Sequence, residues 1–268
     1  MGTFRQILIL ATLCVFVAAT NAAAELRGTG YLDAVFTTVS MSRDVVQGLL
    51  PEGLELADHT SRRVPVIFIF GHHRDVRPDI GHGLSATGLI GLKYLEFIFG
   101  VPSVHLKGTP GDQRLTFMPR LFLDRVVPVW MGYPYGFAKT VAEIHASKNH
   151  YAVLDAKTHE ELIVADWAAD GAFENPWDIA NFSLIQDILT QPMIGKTPAG
   201  FACSNFNWSL RGSSIQPLRA EVSLKNAFLS GLVPADYQLP SIDEVPLGAF
   251  RVVTQWTLSL PEKCGQVE

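Results

Sequence analysis

Lys139 is a single ammonium group in a long apolar and aromatic stretch, preceded by Trp130, Met131, Tyr133, Tyr135 and Phe137 and followed by Val141 and Ala142. A free lysine has a pKa of about 10.4, so at neutral pH nearly all of it is the non-nucleophilic ammonium. Burial among apolar groups disfavours that charge and favours the neutral amine. The amine adds to a carbonyl carbon, and the protonated imine that results accepts the electrons of a breaking C–C or C–H bond. Lys139 is therefore the first candidate for chemistry; the competing reading is a solvated lysine. Other constellations carry less. His72 and His73, with Asp75 and His82 nearby, invite a metal reading, but adjacent histidines on a strand point to opposite faces. A polar loop after the strand before them is the simpler account, and no metal site is predicted. Gly195-Lys196-Thr197 resembles the end of a phosphate loop, yet Thr190 stands where the leading glycine belongs. Serines and histidines are plentiful, but no nucleophile-elbow motif accompanies them.

The elements that must position Lys139 read mostly as strands. Val64 to Phe70, Tyr94 to Val101 and Arg251 to Leu260 are short apolar runs rich in β-branched and aromatic residues. The last alternates, with Val252, Thr254, Trp256 and Leu258 on one face, as in a half-buried antiparallel strand. Helical signals are fewer and peripheral. Ser42 is placed to cap Arg43 to Leu50, ended by Pro51, and a second helix is predicted within Asn175 to Leu189. Leu218 to Leu229 alternates first, at Ala220, Val222 and Leu224, and then offers a helical turn at Ala227-Phe228-Leu229. The class is mainly β or α+β, an antiparallel barrel or sandwich with few peripheral helices.

The chain has 268 residues, 48% hydrophobic and 18% charged, enough for one large core. Arg5, the apolar run Ile7 to Ala19 and Ala22-Ala23-Ala24 form the pattern of a signal peptide over residues 1–24. The alternative is a membrane anchor, but the run is shorter than the roughly 20 residues a spanning helix needs. The expectation is a secreted protein, extracellular or periplasmic, whose residues 25–268 form a single domain without further membrane attachment. Without residues 1–24 the balance is 20 basic against 26 acidic residues, which does not suggest a nucleic-acid partner. Cys203 and Cys264 remain, and in an oxidising compartment they are expected to pair, the alternative being two free thiols. Asn181-Phe182-Ser183 and Asn207-Trp208-Ser209 match the N-glycosylation acceptor, a motif short enough to occur by chance.

Several segments occur in the order found in acetoacetate decarboxylase and its relatives. Leu49-Leu50-Pro51-Glu52-Gly53-Leu54-Glu55-Leu56 resembles that family's segment after a short helix, and Tyr94 to Pro102 resembles the strand carrying an acidic active-site residue. Leu121-Phe122-Leu123-Asp124 precedes Tyr135-Gly136-Phe137-Ala138-Lys139-Thr140 as the family's Tyr-Leu-Asp strand precedes its aromatic-Pro-Lys-Lys motif, and Leu239 to Pro261 is similar to its closing segment. The resemblance spans most of the chain. It implies a β-rich barrel or cone enclosing a ligand cavity, with Lys139 forming an imine, Glu96 as its acidic partner and Tyr94, Tyr135, Phe137 and Thr140 around the substrate. No metal or organic cofactor is implied. Two departures stand out: Thr140 replaces the family's second lysine, and Leu32 falls near the register of its substrate-facing arginine, between Arg27 and Arg43. Desolvation would then have to activate Lys139 without an adjacent cation. The expected function is a Schiff-base lyase acting on a small keto acid or related carbonyl compound, by decarboxylation or by aldol condensation and dehydration. The rival is a non-catalytic β-barrel that binds a small apolar ligand. A homo-oligomer is compatible with either.

Overall fold

The computed structural model describes residues 27–57, 60–79, 91–108, 113–225 and 235–264. The expected leader, His82 and the turn at 227–229 lie outside them. Along the chain the strands are β1 (Arg27–Ser42), β2 (Leu54–Leu56), β3 (Arg63–Asp79), β4 (Leu92–Leu106), β5 (Leu115–Leu123), β6 (Lys139–Ala146), β7 (His150–Asp155) and β8 (Glu161–Ala169). They continue as β9 (Met193–Thr197), β10 (Gly200–Ser204), β11 (Phe206–Trp208), β12 (Ser214–Leu224), β13 (Ala235–Leu239), β14 (Phe250–Ser259) and β15 (Glu262–Lys263). Helices are few and short: α1 (Arg43–Leu49), α2 (Val126–Met131) and α3 (Phe182–Leu189). The protein is mainly β, and no helix among the described residues is long and apolar enough to cross a membrane.

Pairing closes the strands into an irregular cone. β9 pairs with β5, β5 with β4, β4 with β3, β3 with β1 and β1 with β14; β11 pairs with β14, and β10 pairs back to β9. Only Asn205 separates β10 from β11, so the circuit is complete. β7, β8, β13 and the later parts of β6 and β12 form a second sheet against one side of the cone.

Strand alternation divides the apolar residues between these layers. On β3, Ile67 and Ile69 face into the cone, whereas Val66, Phe68 and Phe70 face the second sheet. Phe68, Phe70, Phe97, Phe99 and Tyr151 are almost fully buried between the layers, each burial stabilising by roughly 1.5–3 kcal/mol. Tyr151 ties β7 to β3 by donating its hydroxyl hydrogen to Gly71 O at 3.3 Å.

Several expectations change in detail. The strand expected over Val64 to Phe70 does not give way to a polar loop at the histidines: β3 runs on to Asp79, with an irregularity between His73 and Val76 where Asp75 takes φ 53°. α1 follows Ser42 as expected, though Ser42 makes no side-chain cap. Asn175 caps a 3₁₀ turn over Pro176–Asp178, its side chain accepting from Trp177 N at 3.1 Å, before α3 begins. The sheet is not wholly antiparallel, since β5 pairs in parallel with both β6 and β9. A parallel neighbour requires a crossover of a dozen or more residues, and the segment from Asp124 to Ala138, containing α2 and a 3₁₀ turn over Tyr133–Tyr135, supplies it between β5 and β6.

Candidate active site

Lys139 is the first residue of β6 and lies opposite Leu121 in the parallel register with β5. Only part of the run before it packs on Lys139, and its largest aromatic side chains do not. Trp130 and Tyr133 are each 61% exposed, because that run is the crossover on the outside of the cone. Lys139 is nonetheless largely desolvated, its side chain 12% exposed. Its stem passes over Gly132, where a Cβ would overlap the lysine's Cδ and come within 2.8 Å of Cε. Backbone glycine at 132 therefore makes the channel through which the amine reaches inward.

The partner at the end of that stem is Glu96, whose Oε1 lies 3.1 Å from Lys139 Nζ. Glu96 shares the inner face of β4 with Tyr94 and Ile98 by strand alternation, and it is 4% exposed. Its other oxygen, Oε2, lies 3.0 Å from Nε2 of His73, itself 4% exposed. These are ion-pair distances rather than well-aligned hydrogen bonds: Glu96 Oε1 and both ring nitrogens of His73 lack an aligned partner. Burial raises the Glu96 pKa, but the Lys139 charge, followed by the contact with His73, outweighs it and holds the carboxyl down to about 2. The His73 ring stacks on Tyr94 with centroids 4.6 Å apart and meets Trp256 edge-on at 5.7 Å. Burial, then the Glu96 and Asp124 charges, push the Tyr94 hydroxyl well above its ordinary range, so it stays protonated.

His73 also borders a cavity of about 60 Å³ inside the cone. Leu32, in register with His73 on the neighbouring strand, lines that cavity as well. The site thus joins Lys139, Glu96 and Tyr94, as the sequence suggested, and adds His73, which the sequence reading set aside. The usable signal was phase: His73 follows Ile67 and Ile69 at intervals of two, whereas His72 falls on the other face.

Thr140 is a correction. Alternation along β6 turns it away from the Lys139 amine, and its Oγ1 accepts from Arg120 Nη1 at 3.5 Å instead of joining the Lys139–Glu96 pair. Tyr135 and Phe137 stack on each other at 5.3 Å and pack against the inner apolar cluster without lining the cavity. Gly195 has a structural role: a Cβ there would overlap the carbonyl of Tyr135, so β9 and the crossover meet backbone to backbone. Cys203 and Cys264 form a disulfide with Cα atoms 4.9 Å apart. Asn181 Nδ2 donates to Ile242 O at 2.7 Å, which engages the nitrogen a glycan would need, whereas Asn207 is exposed on β11.

The chain matches no protein-family model and no curated protein sequence. Solved structures do share its architecture. The enduracididine biosynthesis enzyme MppR, in complex with the condensation product of pyruvate and imidazole 4-carboxaldehyde, superposes with a TM-score of 0.60 at 13% identity, covering 92% of this chain and 91% of that one. An acetoacetate decarboxylase-like enzyme from Sphingomonas wittichii gives 0.58 at 12% identity, over 91% and 94% of the two chains. The chain has the acetoacetate decarboxylase-like fold. Acetoacetate decarboxylase from Legionella pneumophila, with a TM-score of 0.53 at 15% identity over 92% of each chain, shares it too. Within the acetoacetate decarboxylase-like fold, a cone built from distant strands brings together residues 73, 96 and 139.

Proposed function

We propose that this protein is a cofactor-independent carbon–carbon lyase that forms an imine between Lys139 and a small carbonyl substrate. One observation carries the reading: a nearly buried lysine amine lies 3.1 Å from a buried carboxylate, whose other oxygen meets His73 on the wall of an internal cavity. The ammonium passes a proton to Glu96 Oε1, and the neutral amine attacks the carbonyl carbon to give a carbinolamine. Return of the proton to the departing oxygen releases water and leaves the protonated imine. Its C=N⁺ bond accepts the electron pair of a breaking C–C bond, or of a C–H bond whose proton leaves to give an enamine. That enamine attacks an aldehyde in the aldol direction. The imine is itself the electron sink, so the chemistry calls for no metal or organic cofactor. Similarity to a fold whose solved members include a complex with a pyruvate-derived condensation product supports the aldol branch, and its decarboxylase members support the other.

Borohydride reduction in the presence of a carbonyl panel, followed by peptide mass spectrometry, tests the reading. The expected result is a reduced adduct on Lys139 that is absent from Lys139→Met. A chain that binds carbonyl compounds but never yields an adduct would instead be a non-covalent carrier. The reading includes export of residues 25–268 as one domain after removal of 1–24, supported by the Cys203–Cys264 disulfide. N-terminal sequencing of the secreted protein checks it.

A further inference from the structure

The cone cavity holds about 60 Å³, where a single water needs roughly 10–15 Å³ in the same measure, so a chain of a few carbons fits. Leu32, Ile67, Ile69, Ile98, Met118 and Trp208 contribute apolar walls. Among the described residues that line it there is no lysine or arginine. Of its polar residues, Gln191 is committed to the protein: its Oε1 accepts from Ser103 N at 2.8 Å and from Thr116 Oγ1 at 3.3 Å. His73 is different, being 4% exposed with no hydrogen-bond partner for Nδ1. Lys139, linked to His73 through Glu96, is already neutralised by that carboxylate. A free carboxylate in this cavity would be buried without a counter-ion, which is strongly disfavoured.

We infer that the cavity takes the apolar body of an uncharged aldehyde or ketone, with one polar atom at His73 and no free carboxylate. For its reacting end this rests on the imine reading; the cavity's preference for uncharged ligands does not. The experiment uses the full chain with butanal, 2-pentanone, pyruvate and acetoacetate at equal concentrations under borohydride, with adducts located by mass spectrometry. Calorimetric titration with 1-pentanol, which has no carbonyl, reports cavity binding separately. Lys139 adducts forming at least tenfold faster with the neutral carbonyls, together with pentanol binding, are expected. Ile188→Phe, a half-buried substitution at the cavity wall, should weaken pentanol binding at least tenfold without unfolding the chain. Equal or faster labelling by the keto acids overturns the inference while leaving the imine reading intact. Pentanol binding with no adduct from any carbonyl supports an uncharged-ligand cavity and overturns the imine reading. Neither binding nor labelling overturns both.

Discussion

Glu96 is an ionised carboxylate in a place where water cannot reach it, so its charge is conditional on its neighbours. Its folded pKa of about 2 lies below the ordinary 4.5, so the stability it contributes is full above 4.5 and is lost as pH falls towards 2. At about 1.4 kcal/mol per unit, the loss is on the order of 3 kcal/mol. Urea unfolding between pH 5 and 2 should show this decline, and Glu96→Gln should flatten it. Lys139→Met leaves the carboxylate buried with only His73 beside it, which should cost about 3–5 kcal/mol. The double variant with Glu96→Gln should recover much of that loss, so strict additivity in urea melts would count against the coupling. The pairing of Lys139 with Glu96 was legible in the sequence because each sits in a segment that resembles the acetoacetate decarboxylase pattern. His73 was not, because its importance depends on strand phase continuing past Phe70, and two adjacent histidines before an Arg-Asp pair look like a loop.

At the scale of elements, the crossover decides how the amine is presented. Gly132→Ala puts a methyl group into the lysine stem. Lys139 should then be forced off the Glu96 carboxylate, with at least a tenfold fall in adduct formation and a small change in melting temperature. A normal labelling rate would show that the stem can move aside. Gly195→Ala affects packing instead, since the clash is with the backbone at Tyr135; a loss of about 1–3 kcal/mol is expected from denaturant unfolding. Strands such as β14 were legible from alternation and β-branched composition. The parallel placement of β6 was not, because the short run from Asp124 to Ala138 is as apolar as a strand and betrays its crossover role only in three dimensions.

For the whole molecule, the Cys203–Cys264 disulfide joins β10, which lies between β9 and β15, to the residue after β15, across a separation of 61 residues. Loop closure of that length stabilises by about 4 kcal/mol in the chain-entropy account. Thermal melts with and without reductant should differ accordingly, whereas coincident melts would show that the tail contributes little. Cysteine counting made the pair legible; the closure of the cone through β10 and β11 depends on strands too short to identify from sequence.

β6 belongs to two sheets at once. Lys139 pairs with a strand of the cone, and from Ala142 onward the same strand pairs with β7. A one-residue slip in a strand exchanges its two faces, so the apolar register of the second sheet also fixes the direction of the Lys139 side chain. Until the second sheet pairs with Ala142 onward, only the three-residue pairing with β5 would hold that register. The direction of the Lys139 side chain therefore depends on both layers, and a slip in the second sheet would turn the amine away from Glu96.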